Sequence, residues 1–371
     1  MKSRLRRTWL KRFLLSAALP PLPAWCAAAD DGYPEVFPRP LEFPRDFGAH
    51  PDYRTEWWYL TGWLDDGAEK MGFQVTFFRS RTLHPESNPS RFAPLQLLFA
   101  HAALAIPKEG RLRHADAAGR AGPAGATFSA TDTRLALSGW SLQRTAEDHY
   151  KVLVTTDRFL LDIVAIPAQA PVLRGEAGYS SKGPDARFAS YYYSRPQLKV
   201  SAKVTLMNSV AQRNRVEQPL ELSGSAWFDH EWSSSVLMPG AVGWDWIGIN
   251  LLDGSSLMAF RIRDASGATL FSDWDWRNAQ GLHLERRKDV SWQTLGQWRS
   301  PRSLFTYPER LELRRGDRTL TLRPLLLDQE VDAQASTGGF YYEGAVELLE
   351  SGKLIGMGYL ELTGYGAPVT L

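Results

Sequence analysis

The sequence predicts an all-β protein made of two tandem antiparallel β domains, each a barrel or a sandwich. Three observations carry that expectation. First, a tryptophan-rich pattern occurs twice, as EWWYLTGWLDDGAEKMGF at residues 56–73 and GWDWIGINLLDGSSLMAF at residues 243–260. At a constant offset of 187 residues the copies match at Trp57/Trp244, Leu64/Leu251, Asp66/Asp253, Gly67/Gly254, Met71/Met258 and Phe73/Phe260. So long a period marks a duplicated domain, because solenoid repeats are roughly 20–50 residues long. A site in one copy is therefore expected to have a counterpart in the other. Second, KMGFQVTFFRS, HYKVLVTTDRFLLDIVA, PQLKVSAKVTL, SSLMAFRIRD and LTLRPLLLD are rich in Val, Thr, Phe and Leu, and many alternate with period two. Third, Asp66-Gly67 and Asp253-Gly254 each lie between apolar runs, a strong hairpin signal. No segment reads as a long, capped amphipathic helix.

The amino terminus carries Lys2, Arg4, Arg6, Arg7, Lys11 and Arg12 with no acid, then the apolar FLLSAALPPLPAW, then Ala27-Ala28-Ala29 before Asp30. That is a charged region, an apolar stretch too short and Pro-broken to span a membrane, and a small-residue cleavage site. Residues 1–29 are thus expected to be a signal peptide and the mature chain to be periplasmic, with no membrane span. Arg6-Arg7-Thr8-Trp9-Leu10-Lys11 fits a twin-arginine export signal as well as the region fits an ordinary secretory one. Cleavage removes six of the 43 Lys and Arg and none of the 41 Asp and Glu, leaving a slightly acidic chain. The single cysteine, Cys26, leaves with it, which excludes thiol nucleophiles, disulfides and thiolate metal sites. No basic run survives to bind nucleic acid.

The remaining chain exceeds one typical core and suits two domains. The polar AQRNRVEQ at residues 211–218 is the best boundary, giving domains at 30–213 and 214–371. Residues 83–94, 107–125 and 167–190 read as loops, of the kind that form lids or barrel mouths.

EWWYLTGWL, SGSAWFDHEW at residues 223–232, GWDW at 243–246 and the closing GYLELTGY at 358–365 resemble the AttH-type, carotenoid 1,2-hydratase-like family. The resemblance covers nearly all of the mature chain. It implies two lipocalin-like (calycin) β domains in tandem and an apolar ligand, often an isoprenoid, polyketide or lipid. Members include hydratases of acyclic carotenoids, fungal relatives that catalyse cycloadditions, and exported bacterial proteins associated with ABC exporters. The signal peptide makes the chain look most like the last group, for which exporter components are the implied partners.

The candidate chemistry centres on Ala226-Trp227-Phe228-Asp229-His230-Glu231-Trp232. On a strand, Trp227, Asp229 and Glu231 take one face and Phe228, His230 and Trp232 the other, so Asp, His and Glu cannot converge on one metal. With no HExxH and no histidine cluster, neither a metal nor any other cofactor is expected. Acid–base chemistry in an apolar pocket is the functional reading. Hydrating an isolated double bond begins with protonation of carbon, which needs a carboxylic acid that stays protonated, and burial among Trp and Phe provides one. Aromatic faces would stabilise the carbocation. Asp229 is then the acid and His230 the base. The resemblance places the hydratases' Asp-His segment here too, although Glu231 follows the His where those enzymes tend to have Asn. The alternative is a structural network.

Glu56, beside Trp57, and Asp245, beside Trp244, are further buried-acid candidates that would face His230 if they project between the domains. Trp57, Tyr59, His101, Tyr192, Trp232, Trp244 and Trp246 are the expected pocket lining. Trp57 and Trp244 also suit a second role, closing a barrel end at the start of its first strand. His101, alone in FAHAALAI, is equally open to satisfaction by one buried hydrogen bond. Glu343 and Glu361 read as cross-strand or cap partners. No G-x-S-x-G elbow, P-loop or dinucleotide fingerprint is present.

Overall fold

The structure, a computed structural model, describes residues 32–65, 67, 69–85, 87–90, 92–122, 125–207 and 218–369. The expected signal peptide, Asp66 and most of the expected boundary segment lie outside the described residues. The first half of the chain forms β1 (Thr55–Asp65), β2 (Lys70–Arg81), β3 (Gln96–Ala105), β4 (Leu112–Arg120), β5 (Thr127–Phe128) and β6 (Arg134–Leu137). Next come β7 (Trp140–Arg144), β8 (Tyr150–Thr155), β9 (Phe159–Ile166), β10 (Val172–Leu173), β11 (Tyr179–Ser181), β12 (Ala189–Leu206) and β13 (Leu220–Ser235). The second half forms β14 (Ala241–Leu251), β15 (Ser256–Asp264), β16 (Thr269–Arg277), β17 (His283–Arg287) and β18 (Ser291–Arg299). It ends with β19 (Thr306–Arg315), β20 (Arg318–Pro324), β21 (Glu330–Ala333), β22 (Gly339–Glu350) and β23 (Lys353–Leu362). Two short 3-10 turns, Arg45–Phe47 and Pro107–Glu109, are the only helical segments among the described residues.

The protein is all-β, with two antiparallel sheets. The first runs β4-β3-β2-β1-β13-β12-β9-β8-β7-β6-β5, with β10 and β11 added on β12. The second runs β17-β16-β15-β14-β23-β22-β20-β19-β18, with β21 on β22. Both paths have one topology: the last strand, β13 or β23, is inserted beside the first, β1 or β14. The first sheet curls around its own core, so that a bridge between Ala121 and Ala126 brings its far ends together. Ile247, Ile249, Leu311, Leu320 and Leu360 fill the second core.

The sheets dock through the outer faces of their central strands. Trp63 Nε1 donates to the Gly358 carbonyl at 2.9 Å, and Asn250 Nδ2 donates to the Ala226 carbonyl at 3.0 Å. A bulge in β12 turns the Gln197 amide onto Asn250 Oδ1 at 2.9 Å. β1 and the second half of β13 are consequently covered on both faces, and Ala226–Ser234 is buried without a break.

Three expectations are corrected here. The first sheet does not end near residue 213, because β13 returns to pair with β1 and β12, and the chain crosses to the second sheet between Ser235 and Ala241. Without β13 the buried edges of β1 and β12 would carry unpaired backbone groups, a requirement that a polar loop composition does not reveal. Residues 112–120 form a strand, β4, paired along β3, within what reads as a loop. The ungapped repeat also breaks at its turn. Leu64 pairs with Met71 in the first hairpin, but Gly248, not Leu251, pairs with Met258 in the second. This three-residue shift is odd, and an odd shift moves side chains to the opposite face. Met71 and Phe73 therefore enter the first core, whereas Met258 and Phe260 point between the sheets.

Close approach at the central strands demands glycine at two places. A Cβ on Gly224 of β13 would collide with the Trp63 carbonyl of β1, and one on Gly358 of β23 with the Gly248 carbonyl of β14. Backbone atoms cannot rotate away, so Gly224→Val is expected to destabilise the protein by about 2–3 kcal/mol, read as a lower urea midpoint with an unchanged slope.

Candidate functional site

Between the sheets lies a cavity of about 840 Å³ of atom-free space, counting its opening to solvent. Alternation along the central strands decides what enters it. In β1, Trp57 and Tyr59 face the cavity while Trp58 and Leu60 enter the first core. In β14, Trp244 and Trp246 face it while Ile247 and Ile249 enter the second. Thr76 and Phe78 of β2, Tyr192 of β12, Phe260 and Ile262 of β15 and Val236 and Leu237 of the crossing segment complete the walls. The polar groups are four carboxyls, Asp229, Glu231, Glu343 and Glu361, and one ammonium, Lys182.

The duplicated topology places these acids as counterparts. Tyr59 pairs with Asp229 across β1 and β13, and Trp246, its equivalent in the repeat, pairs with Glu361 across β14 and β23. Glu361 in turn lies directly opposite Glu343 of β22. Asp229 accepts hydrogen bonds from Tyr192 Oη and Trp227 Nε1, each at 2.8 Å, and from Ser194 Oγ. Trp246 Nε1 donates to Tyr192 Oη at 3.2 Å. Tyr59 Oη donates to Glu343, and Trp244 Nε1 donates to Glu361 Oε2 at 3.0 Å. Lys182 Nζ is 2.7 Å from Glu231 Oε1.

Asp229 and His230 are not brought together, because neighbouring strand residues take opposite faces. His230 lies in the first core, with Nε2 2.8 Å from Glu56 Oε1 and Nδ1 3.2 Å from Tyr193 Oη, under the stacked ring of Trp58 at 4.8 Å. Glu56 is in the same network, held by Arg79 Nε at 2.8 Å and His50 Nδ1 at 2.9 Å. Trp232 also faces inward, stacked on His50 at 3.6 Å. Asp245 is clamped by Arg261 at 2.6 Å and Arg263 at 2.8 Å and does not reach the cavity. His101 is bound by Tyr341 and Ser336, each at 2.8 Å, and lies outside the cavity wall. Of the expected lining, Trp57, Tyr59, Tyr192, Trp244 and Trp246 are in place. Trp57 and Trp244 do not plug a barrel end, since both point out of their cores.

His50, Glu56 and His230 offer ligand atoms within 4.8 Å of one another. The set is closed by its own hydrogen bonds: both His50 nitrogens meet carboxylates, Glu56 and Asp46. A divalent ion here would sit against the Arg79 guanidinium. The arrangement suits a buried ion network better than a metal centre.

An AttH-like family model matches residues 34–365. The chain belongs to the AttH-like family. A crystal structure described as an AttH protein of Nitrosomonas europaea superposes with a TM-score of 0.81 at 41% identity, covering 90% of this chain and 99% of that one. Kievitone hydratase from Nectria haematococca has the same fold, with a TM-score of 0.64 at 15% identity over 91% of this chain and 94% of that one. CghA with Sch210972 matches more loosely, with a TM-score of 0.53 at 12% identity over 91% and 96%. A search of the curated proteins finds no match.

In this AttH-like protein the two networks hold their protons in opposite ways. Burial alone would raise Glu56, but the Arg79 charge and the hydrogen bonds from His230 and His50 outweigh it and hold Glu56 well below the usual carboxylate range. Burial pushes His230 down to about 4 despite the Glu56 hydrogen bond. At the cavity the acids go the other way. Burial raises Asp229 to about 6 against Arg174 and its three donors. Burial raises Glu361 to about 7, with the charges of Glu231 and Asp229 adding to it against the Trp244 hydrogen bond. Burial and the charge of Glu361 push Glu343 well above the ordinary range. Glu343 and Glu361 are the residues that sequence reasoning set aside. No signal in the sequence marks them: Glu361 is the counterpart of Asp229 only through strand pairing, and Glu343 has Ser194 at the equivalent place in the first sheet.

A raised carboxyl pKa stabilises the folded state only while the proton is bound. Below pH about 4.5 Glu361 is protonated folded and unfolded, but between about 4.5 and 7 the unfolded chain ionises first, and stability falls. Glu361→Gln removes that loss. The variant is expected to gain about 3 kcal/mol on the wild type as pH rises from 4.5 to 7.5, and nothing below pH 4.5, read from urea unfolding across that range.

Proposed function

We propose that this protein catalyses cofactor-free, acid-initiated hydration or isomerisation of a carbon–carbon double bond in an apolar isoprenoid or lipid. The observation that carries the reading is the Glu343/Glu361 pair, two facing carboxyls that burial keeps protonated inside an aromatic-walled cavity. Each carboxyl is held by a donor of the wall, Glu343 by Tyr59 Oη and Glu361 by Trp244 Nε1. In the protein environment described, Glu361 donates its proton to one alkene carbon, and the π electrons form the new C–H bond. The cation left on the other carbon faces the indoles of Trp57, Trp244 and Trp246. Water adds to it, and Asp229, lower in pKa than Glu361, takes the water's proton. Loss of a proton from the neighbouring carbon would instead give the isomer. His230 takes no part, being on the other face of β13. Kievitone hydratase, a protein named for a hydration, shares this fold. The amino-terminal pattern supports a periplasmic setting.

The test incubates the purified protein with the source organism's lipid extract in heavy-oxygen water, followed by mass spectrometry. Heavy oxygen should enter an apolar molecule, and Glu361→Gln and Asp229→Asn should each slow incorporation by about 10²–10⁴-fold. A lipid retained unaltered by the wild type would defeat the catalytic reading and leave a lipid carrier.

A further inference from the structure

We propose that the cavity is also a selective site for organic cations, binding an alkylammonium whose head sits by Glu361 and Trp244 and whose chain lies along the aromatic wall. The proposal deepens the reading above and rests on it only in using the same cavity. Three observations lead to it.

The walls carry aromatic rings from both sheets, and ring faces carry negative quadrupoles that attract cations. Four carboxyls line the space against a single ammonium. That ammonium shows what the cavity accepts. Lys182 Nζ lies 4.5 Å from the Phe260 ring centroid, 5.0 Å from that of Tyr192 and 2.7 Å from Glu231 Oε1, with its side chain only 9% exposed. The chain thus seats one of its own ammonium groups between two rings and a carboxylate. Elsewhere in the wall Glu361 and Trp244 repeat the combination of acid and ring, and no cation of the described residues pairs with Glu361 or Glu343. Above pH 7, where Glu361 has given up its proton, an anionic head would meet an uncompensated carboxylate in a desolvated space and be rejected. The ammonium carries on nitrogen the charge that a protonated alkene carries on carbon, so the same groups serve both.

The test titrates the full chain at pH 8, where Glu361 is ionised, with dodecyltrimethylammonium, dodecyl maltoside and dodecyl sulfate below their micelle concentrations. It follows the fluorescence of the cavity tryptophans, with circular dichroism to monitor the fold. The cation should bind about tenfold or more tightly than the neutral probe, and the sulfate should bind least. Glu361→Gln should remove most of that preference and spare the neutral probe. Lys182→Met, which vacates the Phe260 and Tyr192 faces and unpairs Glu231, should tighten cation binding. Equal binding of cation and neutral probe, or weaker cation binding by Lys182→Met, would overturn the proposal. Turnover of a neutral lipid without cation preference defeats this inference alone. Cation preference without turnover supports it and defeats the catalytic reading.

Discussion

Two-faced burial of the central strands is the constraint from which the rest of the molecule follows. β1 and β13 are covered inside by the first core and outside by the second sheet, and β14 and β23 sit equivalently in the other half. In such strands the alternation of side chains does not sort residues into wet and dry. It sorts them into two different dry places, and every polar side chain must be paired or neutral there. Trp57 and Trp58, or Asp229 and His230, are chain neighbours that end in separate compartments.

The two compartments solve the problem of buried charge differently. Inside the first core, Asp46, Glu56, His50 and Arg79 compensate one another with charge and hydrogen bonds, and the acids stay ionised. Between the sheets, Glu343 and Glu361 have no cation of the described residues against them, and burial favours their protonated forms. A closed ion network fixes geometry, whereas an uncompensated protonated acid beside an opening is a group able to give its proton away. The difference between the ionised and the protonated carboxyls in this protein is therefore one of local compensation, not of burial.

Duplication explains why the cavity has acids on two sides. Asp229 and Glu361 hold equivalent positions in equivalent strands, each across from an aromatic residue of the first strand, Tyr59 or Trp246. The copies have diverged around that shared frame. Asp229 is surrounded by donors and backed by Arg174, which suits a group that accepts a proton. Glu361 faces another acid, which suits one that donates. The changed register of the second hairpin adds Phe260 to the wall, where the first copy buries Phe73 in its core.

The sequence by itself determined that the chain is all-β and that its Trp-rich strand pattern recurs. These are properties of period-two alternation, turn residues and a long repeat, all local or linear. Alternation already put Asp229 and His230 on opposite faces, yet the expected acid and base paired them, and the structure keeps them in separate compartments. Only the tertiary structure decided which faces meet. Glu343 and Glu361 look like ordinary strand acids until β22 and β23 are laid against β1, and Glu56 and Asp245 look like pocket acids until Arg79, Arg261 and Arg263 are found beside them. Compensation of a buried charge depends on groups tens of residues away or more, and strand order and register set that proximity.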